Sequence, residues 1–535
     1  MGFFAALHAR TAIARSVVLA GVALAALAAV APARAVVSNE QYGFMNQIGG
    51  PGASPGQFGG GTNPGPYGVA VGPTGNVFVV DPNASLHEVD EFAPDGTLIT
   101  SFGQAGSSLG SINSAYGIAV DSAGTVYVID TWRSDADRIQ YFTSSDGGAT
   151  YTPAGQIAVT GASGTMFQIA VDGQGFVYVT DSANQRVLKY KVATGTLTAT
   201  FGDTGVAPAK LSYVKGIVAS ADGSDVYVVD GNAVKRFHSS DGGATYSYAE
   251  TLGIPAGTFG NAWGIALDPA GYLFVTDTQN DVVVKATTAG SVVTSWGAPG
   301  TDDDSFNGAR AVAVSSSGSV YVDDVGVNDG VHDAQNHRVM RYARDLTPPT
   351  AGVSGAPAGW TRAAAVNLTF SGSDPVVAGQ YTSGFQGVEL YLNGVWSSWA
   401  GGPYRVGSEG VTTVTYRGVD NRNNVGDEKS VTVRIDRTPP TSRPLAGVSV
   451  TQGKTARLRY HVSDALSPKA TVTILVRRSG KTVATLHPGV KTVGLDLTYA
   501  WTCKLKKGTY AWTVRATDLA GNRQTTTASK KLVVM

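Results

Sequence analysis

Six times between Tyr67 and Asp324 the chain writes the same phrase. An aromatic or cationic residue is followed by a residue that is small in five of the six copies, an apolar run, a glycine turn and then aromatic-Val-x-Asp. It reads YGVAVGPTGNVFVVD from Tyr67, YGIAVDSAGTVYVID from Tyr116 and FQIAVDGQGFVYVTD from Phe167. It continues as KGIVASADGSDVYVVD from Lys215, WGIALDPAGYLFVTD from Trp263 and RAVAVSSSGSVYVDD from Arg310. The closing aspartates are Asp81, Asp130, Asp181, Asp230, Asp277 and Asp324, at intervals averaging just under 50 residues. A unit of that length cannot bury its own apolar face, so copies must stack on one another, and the period lies in the range of propeller blades.

Each copy divides the same way. GIAV-type segments are short and almost continuously apolar, as expected of strands buried on both faces. A turn leads to a second strand such as TVYVID, and a polar loop leads to a third such as RIQYF, RVLKY, AVKRF or RVMRY. TLTATFG and SVVTSWG supply fourth strands. Four strands per unit, six units and no helical periodicity predict an all-β, six-bladed β-propeller. The sixth copy ends at RVMRYARD without a fourth strand, whereas FMNQIGGPGASPGQF (44–58) looks like the fourth strand and exit loop of the others. The N-terminal segment is therefore expected to complete the last blade, leaving the ring without open edges. The octapeptide SSDGGATY occurs at both 144–151 and 239–246, each time between a third and a fourth strand. Asp-Gly-Gly suits a hairpin tip, because glycine accepts positive φ without steric cost.

The third copy, QIAVDGQGFVYVTDSANQRVLKY (168–190), meets almost every position of the NHL-repeat pattern, and the chain resembles that family over residues 41–344. Ser-x-Asp-x-Gly-x-Thr-aromatic is similar to the Asp-box of sialidase-type propellers, which implies a structural turn. Beyond the ring, DLTPPT (345–350) recurs as DRTPPT (436–441), each heading about 90 residues of alternating strands that near their end with an Asp-Asn turn, DNRNN from Asp420 and DLAGN from Asp518. These segments resemble bacterial Ig-like β-sandwich modules. The expected organisation is a signal peptide over 1–35, an NHL-type propeller over 36–345, and Ig-like domains over 346–437 and 438–535.

Arg10 and Arg15, the apolar run Ser16–Ala31 and Ala33-Arg34-Ala35 make an export signal cleaved near Ala35. The apolar run is short for a bilayer span, so no span is expected after processing, and the product is secreted or held at the cell surface. Lys+Arg (40) balance Asp+Glu (40), which argues against nucleic acid, whose binding depends on basic contacts to phosphate. Charged residues are only 15% and glycines number 68, a turn-rich β composition. The lone Cys503 cannot form an intramolecular disulfide, and a monomer is expected.

Tyr67, Tyr116, Phe167, Lys215, Trp263 and Arg310 begin the first strands and should share one face of the ring. Four aromatics and two cations there suit a sugar or a peptide side chain. A purely structural reading, in which the rings plug the axis, competes with this. In the sixth copy, Asp302, Asp303 and Asp304 precede the first strand, while Asp324, Asp329 and Asp333 end the second strand or lie in the long loop that follows. Hard oxygen ligands at that density suit Ca²⁺, His332 and His337 add a transition-metal option, and a solvated acidic insertion is the plainer alternative. The NHL resemblance also touches a zinc-binding amidating lyase, but none of the six strand-start positions is a histidine. The leading expectation is an adhesive or sensor-like binding protein for an extracellular glycan, peptide or protein, with no assigned catalytic residue and no certain cofactor. The alternative is a metal-assisted lyase or hydrolase at the channel mouth.

Overall fold

The computed structural model describes residues 42–59, 65–82, 88–131, 137–162, 166–326 and 336–535. The expected signal peptide, His87, Asp329, His332 and Asp333 lie outside them. The fold is all-β, with no helix among the described residues. Six four-stranded antiparallel sheets come first, in an arrangement consistent with propeller-like blades, and two pairs of smaller and larger sheets follow.

Sheets one to five take their strands in chain order, for example 166–171, 176–181, 186–191 and 196–201 in the third. The sixth is composite. Ala309–Val314, Val320–Asp324 and Arg338–Arg344 are completed by Tyr42–Ile48, which runs antiparallel to the last of these, with Tyr42 opposite Arg344 and Ile48 opposite Val339. The loop after that outer strand repeats the loops at 103–112 and 297–306: Pro51 bridges Phe58 as Ala105 bridges Ile112 and Pro299 bridges Phe306.

The apolar runs pack into six separate cores, one in each gap between neighbouring sheets. Ala70, Phe78 and Val80 of sheet one meet Ile118, Val126 and Val128 of sheet two. The last gap closes the circle, with Val69, Val77 and Val79 of sheet one against Ala311, Ala313 and Tyr321 of sheet six. β-Branched residues suit these doubly buried strands, and each fully buried valine contributes about 1.5–3 kcal/mol. The first strands sit so close at the axis that a Cβ on Gly264 would lie 2.2 Å from the Arg310 carbonyl oxygen, and one on Gly216 2.5 Å from that of Trp263. The small residue in the repeated phrase is thus set by the approach of the next sheet's backbone.

Both SSDGGATY segments are hairpin tips. Asp146 accepts from Thr150 N (2.9 Å) and Thr150 Oγ1 (2.6 Å), and Asp241 accepts from Thr245 in the same way. The closing tyrosines stack on the preceding sheet, Tyr151 on Phe102 at 4.4 Å and Tyr246 on Phe201 at 4.6 Å. The recurrence is therefore structural, a turn plus an anchor between sheets.

The C-terminal region holds two sandwiches with one topology. Sheets of three and five strands enclose a core around Leu368, Leu390 and Val433 in the first, and around Leu458, Ile474 and Trp512 in the second. Their strands span 350–435 and 441–534. Cys503 is buried in the second core.

Candidate functional site

The repeat sets the phase of each first strand, so the same position recurs at the axis. Tyr116, Phe167, Lys215, Trp263 and Arg310 are the second residues of their strands, and Tyr67 directly precedes Gly68–Val71. The structure brings all six together. Tyr67 meets Tyr116 (5.3 Å between centroids), Tyr116 meets Phe167 (6.0 Å) and Phe167 meets Trp263 (6.2 Å), all edge to face. The Arg310 guanidinium closes the circuit, 4.3 Å from the Tyr67 ring centre and 4.6 Å from that of Trp263. Such cation–π contacts stabilise by about 0.5–2 kcal/mol. These five side chains are half-buried, so they form a floor across the axis.

Lys215 is buried, with its ammonium 4.6 Å from the centres of both Trp263 and Tyr213. It donates to the Asn261 side-chain oxygen and to the Ala262 carbonyl (3.0 Å). Burial, with Arg310 adding to it and Asp277 opposing, brings its pKa down to about 8. Arg310 Nε is buried and has no hydrogen-bond partner. Beneath it lies Asp323, fully buried, which accepts from the Arg310 backbone N–H at 2.9 Å and leaves its other carboxylate oxygen unpartnered. Burial holds the Asp323 carboxyl well above the usual range. In the sequence Asp323 stands out only against its counterparts, since the corresponding residues of the other copies are Val80, Ile129, Thr180, Val229 and Thr276.

The closing aspartates are buried; most accept from the loop that leads into their own sheet, and Asp181 and Asp277 accept from the loop that follows, at Asn184 N and Asn280 N. Asp130 accepts from Asn113 N (2.7 Å) and Ser114 N (3.1 Å), and Asp230 from Ser212 N and Tyr213 N. Third-strand cations pair with them, as in Arg138–Asp130 (2.9 Å), Arg186–Asp181 (2.8 Å) and Lys235–Asp230 (2.6 Å).

Asp324 belongs to this set. Its oxygens receive Asn307 N (2.6 Å), Asn336 Nδ2 (2.6 Å) and Arg338 Nε (2.9 Å), while Asp302, Asp303 and Asp304 are exposed. Main-chain carbonyls hold their loop, with Arg338 on Asp302 O and Tyr342 on Asp303 O. None of these four belongs to a compact acidic group among the described residues. His337 is buried, with Nδ1 2.9 Å from Gly65 O and Nε2 unpartnered.

Two compact acidic groups lie elsewhere, among motifs already marked by their recurrence. Asp345, Asp374 and Asp420 bring carboxylate oxygens within 4.8 Å of one another in the first sandwich, as do Asp436, Asp464 and Asp518 in the second. Asp345 and Asp436 open the two Thr-Pro-Pro junctions, and Asp420 and Asp518 open the Asp-Asn turns, each bound by the turn's asparagine, Asn424 or Asn522, at 2.8 Å. The third members were not marked in the sequence, because each lies at the end of a strand that only folding carries to the junction. One carboxylate oxygen on each, Asp374 Oδ1 and Asp464 Oδ2, is buried without a partner. These two groups have the hard oxygen donors that suit a divalent cation.

No protein-family model and no curated protein matches the chain. Solved structures that match share little sequence. A functionally unknown protein from Desulfotomaculum acetoxidans is 14% identical with a TM-score of 0.34, covering 47% of this chain and 76% of its own. An extracellular domain assigned to a hybrid two-component system of B. thetaiotaomicron is 10% identical with a TM-score of 0.25, covering 90% and 70%. A tetra-tandem repeat from the extending region of a large adhesion protein is 15% identical with a TM-score of 0.21, covering 78% and 99%. Among the described residues no helix is long and apolar enough to cross a membrane.

Proposed function

We propose that the chain is an exported binding protein. An NHL-type six-bladed β-propeller forms the head, two Ig-like modules carry it, and residues 1–35 are removed on export. The observation that carries this reading is the circuit of Tyr67, Tyr116, Phe167, Trp263 and Arg310 on the axis, with Lys215 beside it. Rings and cations gathered at one end of six strands offer stacking and charge to a ligand, which supports a binding role. The ligand class is an extracellular glycan, peptide or protein side chain, and the protein acts as a monomer.

The test is a glycan and peptide array probed with the full chain and with Tyr116→Ala/Phe167→Ala. Wild type should bind a restricted set that the double variant loses while keeping its melting temperature within a few degrees. Equal binding by both would move the site off the axis. Tight stoichiometric zinc or iron after gentle purification would instead favour the metal-assisted lyase or hydrolase.

Calcium is the second part of the proposal, placed at the two sandwich triads. The observation favouring it is that the same three-aspartate arrangement, with one orphaned buried oxygen, occurs twice.

A further inference from the structure

We propose that the axial floor binds a carboxylate carried on a ring, with the carboxylate received by the half-buried Arg310, the charge of the buried Lys215 adding attraction from behind, and the ring face laid against the half-buried aromatics. This rests on the reading of the floor as the binding site and specifies what it takes.

Two cations lie 4.6 Å from the centre of one indole, that of Trp263. The acidic groups nearby are engaged elsewhere. Asp277 accepts from Gly260 N (2.7 Å), Asn261 N (2.9 Å) and the Asn280 side chain (2.6 Å). Asp323 lies beneath the floor, tied to the Arg310 backbone N–H, and burial favours its protonated form. Neither accepts a hydrogen bond from the Arg310 or Lys215 side chain, although Asp277 favours the Lys215 charge and Arg310 acts on Asp323 through space. Arg310 Nε is buried without an acceptor, and an unsatisfied charged donor of that kind is costly until something brings it an acceptor. A ligand carboxylate offers the counter-charge and the acceptor together, and guanidinium–carboxylate pairs are the stronger, directional kind. A neutral sugar or ring offers stacking alone. The shared chemistry fits two sources, an aromatic acid or a sugar acid.

Lys215 gives the proposal a pH signature. Its surroundings are Arg310, which with burial disfavours its charge, Asp277, which favours it, the Tyr213 and Trp263 rings, and two neutral acceptors at Asn261 and Ala262. A carboxylate prefers the ammonium form, so affinity should fall as pH rises through about 8, the lysine's pKa here.

The experiment titrates the full chain with benzoate, benzyl alcohol, D-glucuronate and D-glucose by calorimetry, on wild type, Arg310→Gln and Lys215→Met, each first shown to be folded by near-UV circular dichroism. At least one acid should bind roughly tenfold tighter than its neutral partner, the scale of a charge-assisted hydrogen bond, and which acid binds tells the source. Arg310→Gln should weaken that acid roughly tenfold and leave the neutral compound unchanged. The acid's affinity should decline from pH 7 to 9.5 in wild type but not in Lys215→Met. Neutral compounds binding as tightly as acids would overturn the carboxylate and leave the floor as the site. An acid bound equally by wild type and Arg310→Gln would remove the site from the floor and defeat both readings. Absence of binding by all four overturns the carboxylate proposal.

Discussion

Glu88 stands where three of its five counterparts are arginines, the other two being Ala233 and Val282. Arg138, Arg186 and Arg338 lie opposite the closing aspartates of their sheets. In sheet one Val80 pairs with Val89, so the next step outward sets Glu88 beside Asp81. Burial, with Asp90 adding to it, raises the Glu88 carboxyl to about 7. The sign follows from linkage. A carboxyl with its folded pKa above its unfolded value binds the proton more tightly in the folded state, so stability falls as pH rises from the unfolded value toward 7. Glu88→Gln should therefore melt higher than wild type at pH 8, by about 1 kcal/mol after allowance for solvent screening, and match it near pH 4.5. Thermal melts across that range check this; a difference that does not vary with pH would place its cause elsewhere.

The outer strand of the sixth sheet is the element on which the ring depends. Tyr42 is 4% exposed and Ile48 fully buried, and the Tyr42 ring stacks on Trp296 at 4.4 Å. Deleting residues up to Ile48 removes both anchors, each contributing about 2–3 kcal/mol, and bares Arg338–Arg344 as an open edge that invites pairing with another chain. That truncation should lower the melting temperature by roughly 10 °C or more and promote aggregation. Removing 346–535 should cost the ring much less, since all six cores between its sheets lie within 42–343. Equal losses in scanning calorimetry would refute the closure argument. This element was legible in the sequence because GGPGASPGQF repeats the loop chemistry of GQAGSSLGSI. The axial floor was legible for a related reason: six copies in one phase bring one position to one place. Asp323 was harder to see, because a single substitution inside an apolar strand gains meaning only once its neighbours across the axis are known.

At the scale of the molecule, how the modules beyond the ring are held turns on residues that lie far apart in the sequence. Asp302, Asp303 and Asp304 are adjacent in sequence yet exposed. Asp345, Asp374 and Asp420 are far apart in sequence and meet within 4.8 Å. Folding brings such distant residues together when strand ends converge on one junction. Three carboxylates at that separation repel by about 1–3 kcal/mol per pair at effective dielectric constants between those of water and the protein surface. Burial and like charge already raise Asp374, with Asp345 and then Asp420 as the neighbouring charges, and burial raises Asp436 with Asp464 and Asp518 nearby. A cation bound at each triad would replace repulsion by attraction and stabilise the folded sandwiches by mass action, increasingly as its concentration exceeds Kd. Calcium at millimolar concentration should therefore raise the melting transition of 346–535 within the full chain by several degrees over the same protein in chelator. The Asp374→Asn/Asp464→Asn variant should lose that response and melt, without calcium, as high as wild type or higher, because each substitution removes one repelling charge. Superimposable wild-type thermograms in calcium and in chelator would leave both triads as hydrogen-bonded turns, with the Pro-Pro junctions alone setting the stiffness between modules.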